Sequence, residues 1–399
     1  MNDMTFSKIL ATGFLAILSS QIPTVCFAQD HSVYLIGDTG EENLAVIKLL
    51  ANELKNNQRE TVVFLGDNIY PGGLVKGKND SVMTDQLEVF KDISFNGRLL
   101  FVPGNHDWRN SKFNGLKRIK DQKQLIDQYV TNEMETLNES ELGGQAHFPG
   151  GGTPGPVVIP INSTLDLYLI DTQWFLESKM FTSVGKAIGE NGEKLSRKKT
   201  KEKFWGDLES RLQQSDANNK KVLIAAHHPL QSIGGHGKKK TGFKILLQTV
   251  GQVFSTIILR QKTPYQLFSQ DIQHSRYSKF KKKFMKTLDD NYLKSGNSQV
   301  IYTAGHEHNL QFWKDNNRNA QYIVSGSGSK TTHYYKELVD LYEQSDDVTL
   351  DYPKKEIFKG LDEVGSNMGF FRLDINEEKI DINACELRSD NTLSCFPLN

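Results

Sequence analysis

Five times along this chain a short apolar run stops at a residue type that does chemistry. SVYLI (32–36) leads into GDTG, TVVFL (61–65) into GDNIY, RLLFVP (98–103) into GNHD, KVLIA (221–225) into AHHP, and VIYTA (300–304) into GHEH. Continuous apolar runs of this length are characteristic of strands covered on both faces. Helical spacing separates them. Leu44, Ile47, Leu50, Ala51 and Leu54 fall on one helical face, a charged helix is predicted over about 115–137, and another near 201–214. Further strands are predicted at TLDLYLIDTQWF (164–175), AQYIVSGSGS (320–329) and FFRLDI (370–375). Strands alternating with helices predict an α/β architecture, and such sheets place their sites at the carboxyl ends of strands. There is no internal repeat.

The 399 residues suit one large domain or two small ones. A formal net charge of zero gives no support for a dedicated nucleic-acid binder, which is usually basic. The first residues differ from the rest. Lys8 precedes ILATGFLAIL, and SSQIPTVCFAQD follows. This pattern reads as a secretory signal over 1–28, cleaved after Ala28, which leaves one domain over 29–399 and a secreted or periplasmic protein. The apolar run is shorter than the ~20 residues of a spanning helix, so no transmembrane anchor is expected after cleavage. Lipid attachment at Cys26 is the weaker alternative. Cleavage leaves Cys385 and Cys395 in KIDINACELRSDNTLSCF. A hairpin turning at Asp390 would set them opposite each other, and a disulfide is expected in an oxidising compartment. Asn138 and Asn162 begin Asn-x-Ser/Thr triplets, acceptors for glycosylation in a eukaryotic secretory route.

Two stretches break the rhythm. Residues 179–203 read as an exposed Lys/Gly-rich loop. Residues 237–285 read as a basic insertion with Lys-Lys-Lys near each end and a helical apolar stripe of Ile245, Leu246, Val250, Val253, Phe254 and Ile257. A lid, a contact surface, or an amphipathic helix packed on the domain fits that pattern. GHGKKKT fails the G-x-x-x-x-G-K-[ST] spacing and lacks the strand-loop-helix context of a phosphate-binding loop.

One such motif would be weak, since a lone Gly-Asp is usually a turn. Five, contributing Asp38, Asp67, Tyr70, Asn105, His106, Asp107, His227, His228, His306 and His308, are hard to explain by packing. In order, residue type and strand context the set resembles the calcineurin-like metallophosphoesterase superfamily over about 31–330. The resemblance implies two mixed β-sheets packed as a sandwich and flanked by helices. The superfamily's first motif is Asp-x-His, whereas this chain has Asp38-Thr39-Gly40. The purple acid phosphatase branch shows the same gap and fills it with a tyrosine of the second motif, the place Tyr70 occupies.

That resemblance implies two metal ions, Fe(III) plus a divalent Fe, Zn or Mn. Asp38, Asp67, Tyr70 and His308 would hold one, and Asp67, Asn105, His227 and His306 the other, with Asp67 bridging. In an extended segment His306 and His308 would share a face about 6.5–7 Å apart, with Glu307 turned away to the surface. His228 is expected at the rim or supporting the ligands from behind. The implied reaction is in-line hydrolysis of a small phosphate monoester, acid phosphatase-like, by a metal-bound hydroxide without a phosphoenzyme. His106 and His236 would serve the leaving oxygen, and Asp107 would orient His106. A phosphodiesterase or nucleotide pyrophosphatase on the same scaffold is the alternative. A non-catalytic surface binding protein would be expected to show a damaged ligand set. No nucleic-acid partner is expected, and the 237–285 insertion is the expected place for any surface contact.

Overall fold

A computed structural model describes residues 30–55, 57–110, 113–177, 183–238, 272–294 and 298–398. The signal segment with Cys26, and the apolar stripe Ile245 to Ile257, lie outside the described residues. The strands, in chain order, are β1 His31–Ile36, β2 Glu60–Phe64, β3 Arg98–Phe101, β4 Val157–Pro160, β5 Leu165–Leu169, β6 Lys221–Ala225, β7 Val300–Ala304, β8 Leu310–Asp315, β9 Ala320–Ser325, β10 His333–Tyr335, β11 Val348–Tyr352, β12 Glu363–Gly365, β13 Gly369–Ile375, β14 Ile380–Leu387 and β15 Leu393–Leu398. Six form one sheet in the order β15-β14-β13-β1-β2-β3, and seven form a second in the order β11-β8-β9-β7-β6-β5-β4. Both are mixed: β1, β2 and β3 run parallel, as do β5, β6, β7 and β9, while the flanking pairs are antiparallel.

The two-residue period of a strand assigns each side chain to a layer. Val33 and Leu35 of β1 meet Leu223 and Ala225 of β6 between the sheets. Tyr34 and Ile36, on the other face of β1, pack under the helices Ala45–Glu53, Ser81–Asp92 and Gly115–Glu133. Val222 and Ile224, on the outer face of β6, pack under the helices Arg197–Ala217, Ser275–Asn291 and Lys336–Ser345. The result is the four-layer sandwich, helix–sheet–sheet–helix, that the resemblance implied.

Some local expectations change and others hold. The end of the supposed insertion is helix, Ser275–Asn291, with Tyr277, Phe280, Phe284 and Leu288 buried in the core. Residues 197–203, expected in a loop, begin the helix Arg197–Ala217, capped by the Ser196 hydroxyl, which accepts from the Lys199 N–H. Asn138 is fully buried. Its amide accepts from Leu99 N–H and donates to the Leu99 and Gln145 carbonyls, so the folded chain offers no acceptor there. Cys385 and Cys395 lie opposite each other in the β14–β15 hairpin and are joined by a disulfide.

Candidate metal centre

The site forms where the carboxyl ends of β1, β2 and β3 meet those of β6 and β7. The sheets are stitched together there: His306 N–H donates to Asp38 Oδ2 at 2.6 Å, Ser325 Oγ to Leu35 O at 2.6 Å, and the His227 ring bonds Leu65 O at 2.8 Å. Asp38, Asp67 and His306 all have positive φ (59°, 54° and 72°). Left-handed backbone is uncommon for non-glycine residues, and where it persists it often marks a functional site.

Two donor clusters share one carboxylate. In the first, the Tyr70 hydroxyl donates to Asp38 Oδ1 at 2.7 Å and reaches Asp67 Oδ2 at 3.3 Å, while His308 Nδ1 lies 3.3 Å from Asp38 Oδ1. In the second, Asn105 Oδ1 faces His227 Nε2 at 2.8 Å and His306 Nδ1 at 2.9 Å, and His227 Nε2 lies 3.4 Å from Asp67 Oδ1. Asp67 therefore turns one oxygen to each cluster. The structure brings Asp38, Asp67, Tyr70, Asn105, His227, His306 and His308 together, all but His308 nearly or fully buried.

The donor chemistry fits cations. A carbonyl only accepts, so the His227 bond to Leu65 O puts the proton on Nδ1 and leaves the Nε2 lone pair facing inward. Asn105 spends its NH2 on Asn110 Oδ1 at 2.8 Å, which turns its own oxygen inward too. The Nε2 lone pair of His227, the Asn105 amide oxygen and an Asp67 carboxylate oxygen thus converge beside His306 Nδ1, and a proton or a metal must lie among them. Burial lowers the pKa of His227, but the carboxylate of Asp67 outweighs it and lifts it to about 9. Burial pushes the Asp67 carboxyl up, yet His227 and His106 hold it well down. Burial, then Asp38 and Asp67, keep the Tyr70 phenol protonated far above its ordinary range. Protons stand in these clusters where cations would replace them.

Gly40 explains the altered first motif. A Cβ there would lie 2.6 Å from Ile69 N and 2.7 Å from Tyr70 N. Gly40 N–H donates to Asp67 O, and Tyr70 N–H to Gly40 O at 3.0 Å. A histidine at 40 would collide with the loop that delivers Tyr70.

His106 and His236 flank the clusters, each partly exposed. The His106 ring bonds Pro71 O through Nδ1 at 2.7 Å and places Nε2 3.9 Å from Asp67 Oδ2. The His236 ring lies 4.1 Å, centroid to centroid, from that of His306. Asp107 has a different use from the one expected. Its carboxylate accepts from the N–H groups of Asn68, Ile69 and Gly104 and from the Asn68 amide, pinning the second motif to the third.

Three further residues lie beside the clusters. Of the two places expected for His228 the rim is excluded: it is fully buried, its Nδ1 2.8 Å from Thr172 Oγ1 and its ring 4.5 Å from that of His306, close enough that His227, His228 and His306 form a second possible ligand trio. Glu307 is buried as well, because His306 and His308 lie in a bend rather than an extended strand. Lys330 was missed. Its ammonium sits 3.2 Å from the centroid of the Tyr70 ring and 3.0 Å from Glu41, at the end of the sixth strand-to-loop junction, SGSGSK.

Residues 31–327 match the model of the calcineurin-like phosphoesterase family. Among solved structures, the chain is similar to GAP50, the anchor in the inner membrane complex of Plasmodium, at 16% identity over 93% of this chain and 89% of that one, with a TM-score of 0.53. It is also similar to PhoD (8% identity, 92% and 68% covered, TM-score 0.49) and to a dimetal phosphatase from Danio rerio (12%, 92% and 99%, TM-score 0.45). At these identities the first likeness speaks to fold alone, and the other two carry no argument. No curated protein matches the chain.

Proposed function

The chain belongs to the calcineurin-like phosphoesterase family, and from that premise we propose that it is a two-metal phosphomonoesterase of the purple acid phosphatase type. The observation that carries this reading is the phenol of Tyr70, which points between Asp38 and Asp67 at 2.7 and 3.3 Å, opposite a glycine where the superfamily's histidine belongs. A hard anionic oxygen in that place suits Fe(III), with a divalent ion in the Asn105 cluster. The metals, when bound, supply a water of lowered pKa and neutralise charge on the phosphoryl oxygens.

The chain's own groups do the rest. Asp38, Asp67 and the histidines fix the geometry on rigid strand ends. His106 donates Nδ1–H to Pro71 O, which leaves Nε2 facing the space over Asp67 where a phosphoryl group would lie. His236 approaches from the side of His306 and protonates the leaving oxygen. Lys330 adds positive charge beside Tyr70 and favours an anionic substrate.

Among the described residues no helix is long and apolar enough to cross a membrane. The Cys385–Cys395 disulfide supports an oxidising compartment, secreted or periplasmic, in keeping with an export signal over 1–28. The test compares hydrolysis of an aryl phosphate with that of its bis-aryl diester across pH, alongside metal analysis. Faster monoester turnover with iron present supports the proposal. Preference for the diester moves the chain to phosphodiesterase or nucleotide pyrophosphatase chemistry, and no turnover with a full metal complement makes it a binding protein.

A further inference from the structure

We propose that Glu307 is a positioning residue: it builds the Ser232–Gly237 loop and so aims His236 across the metal centre. The inference rests on the reading of His236 as the proton donor to the leaving oxygen.

Glu307 is 1% exposed, though it lies between two histidines that face the clusters. The left-handed turn at His306 (φ 72°) sends the Glu307 side chain to the far side, into the loop. There, among the described residues, it meets hydrogen-bond donors. Ser232 Oγ donates to Oε1 at 2.7 Å, and the backbone N–H groups of His236 and Gly237 face the same carboxylate, that of Gly237 also closing onto Gly234 O at 3.0 Å. Ser232 Oγ in turn accepts from Gly234 N–H at 2.8 Å. Gly234 packs directly on the carboxylate, and a Cβ there would lie 2.1 Å from Oε2. The loop thus wraps a buried carboxyl group. A buried polar group is costly unless hydrogen bonds satisfy it, and this loop supplies them. The donors include the backbone of His236 itself, so the carboxylate fixes the φ/ψ from which the imidazole projects. One tripeptide, His306-Glu307-His308, thereby offers two candidate metal ligands and anchors the candidate acid.

The test uses Glu307→Gln. The amide keeps the size but turns one acceptor oxygen into a donor, so at least one N–H of the loop loses its partner. Steady-state kinetics would be measured on aryl phosphates of graded leaving-group pKa for wild type, E307Q, H236A and the double variant, with metal content and hydrogen exchange of the 232–238 amides. We expect E307Q to bind two metals, to lose about 10- to 100-fold in kcat with KM little changed, and to lose more with poorer leaving groups. The double variant should be no slower than H236A, because Glu307 acts through His236. Exchange at His236 and Gly237 should quicken, and Glu307→Asp should recover part of the rate. Losses that multiply in the double variant, metal loss in step with activity, or unchanged exchange overturn the inference. If H236A turns over like wild type, the role of His236 fails instead, and exchange alone decides whether Glu307 builds the loop. Should E307Q fail to fold, Gly234→Ala carries the same cycle from the loop side.

Discussion

Gly104 of the GNHD motif offers a direct test of how tightly the motifs close on Asp67. A Cβ at position 104 would lie 2.2 Å from Asp67 Oδ1, 2.3 Å from Asp67 N and 2.8 Å from His227 Cε1. Reaching an ordinary contact of about 3.4 Å requires Asp67 to retreat by roughly 1.2 Å. That carboxylate oxygen also accepts from His106 N–H at 2.7 Å and lies 3.4 Å from His227 Nε2, so it cannot move alone. Gly104→Ala should therefore cost about 1–3 kcal/mol in unfolding free energy, as overpacking does. It should lower kcat/KM by about 100-fold, the usual effect of an ångström of misplacement, and weaken metal retention. Gly206→Ala in the helix Arg197–Ala217 is the control, since nothing lies within 4 Å of a Cβ there. It should stabilise by about 0.5–1 kcal/mol and leave turnover unchanged. Urea unfolding, phosphate release and elemental analysis read all three quantities. If Gly104→Ala unfolds within 0.5 kcal/mol of wild type and keeps full turnover, the close packing around Asp67 does not set the site.

Three other outcomes are expected. Tyr70→Phe keeps the ring that packs edge-on against His106 but removes the oxygen near Asp38 and Asp67. It should weaken binding of one metal at least about tenfold and abolish any visible charge-transfer band, whereas a band that survives would exclude a tyrosinate ligand. His147 is fully buried, and burial, then Lys123, push its pKa from 6.5 down to about 4. The unfolded chain binds that proton first, so stability is intact above pH 6.5 and declines as pH falls toward 4, by about 3 kcal/mol in all; His147→Leu should flatten this limb in urea unfolding at pH 7 to 4. Breaking the Cys385–Cys395 bridge, ten residues apart, by a double alanine substitution should cost about 3 kcal/mol on chain entropy alone, while turnover at 25 °C stays the same because β15 is the sheet's outer edge.

The strand ends were legible because the apolar runs are short, unbroken and each followed by a metal-ligand residue type. Asp38, Asp67, Asn105, His227 and His306 are thus gathered by topology that the sequence pattern already carries. Tyr70 became interpretable once Gly40 stood where a histidine was expected. What stayed hidden depends on backbone angles and on contacts distant in sequence. Two-residue alternation assumes extended chain, so it turned Glu307 outward; the positive φ of His306 turns it in. Asp107 looked like a partner for its neighbour His106, yet its acceptors face a loop nearly forty residues away. His228 sits beside Pro229 and reads equally as a rim or a supporting residue, and only the contact with Thr172, just past the carboxyl end of β5, shows it buried. In the helix Ser275–Asn291 the run of lysines masked an apolar face spaced three and four residues apart.

The most direct measurement is the metal count of the whole chain, stripped with a chelator and reloaded under titration, for wild type and Asp67→Asn. Two ions per wild-type chain, activity that vanishes on stripping and returns with the second ion, and one ion or none in Asp67→Asn are the predicted results. Two tightly bound ions in Asp67→Asn, or stripped protein that cleaves phosphate esters as fast as before, would contradict a pair of metals sharing that carboxylate.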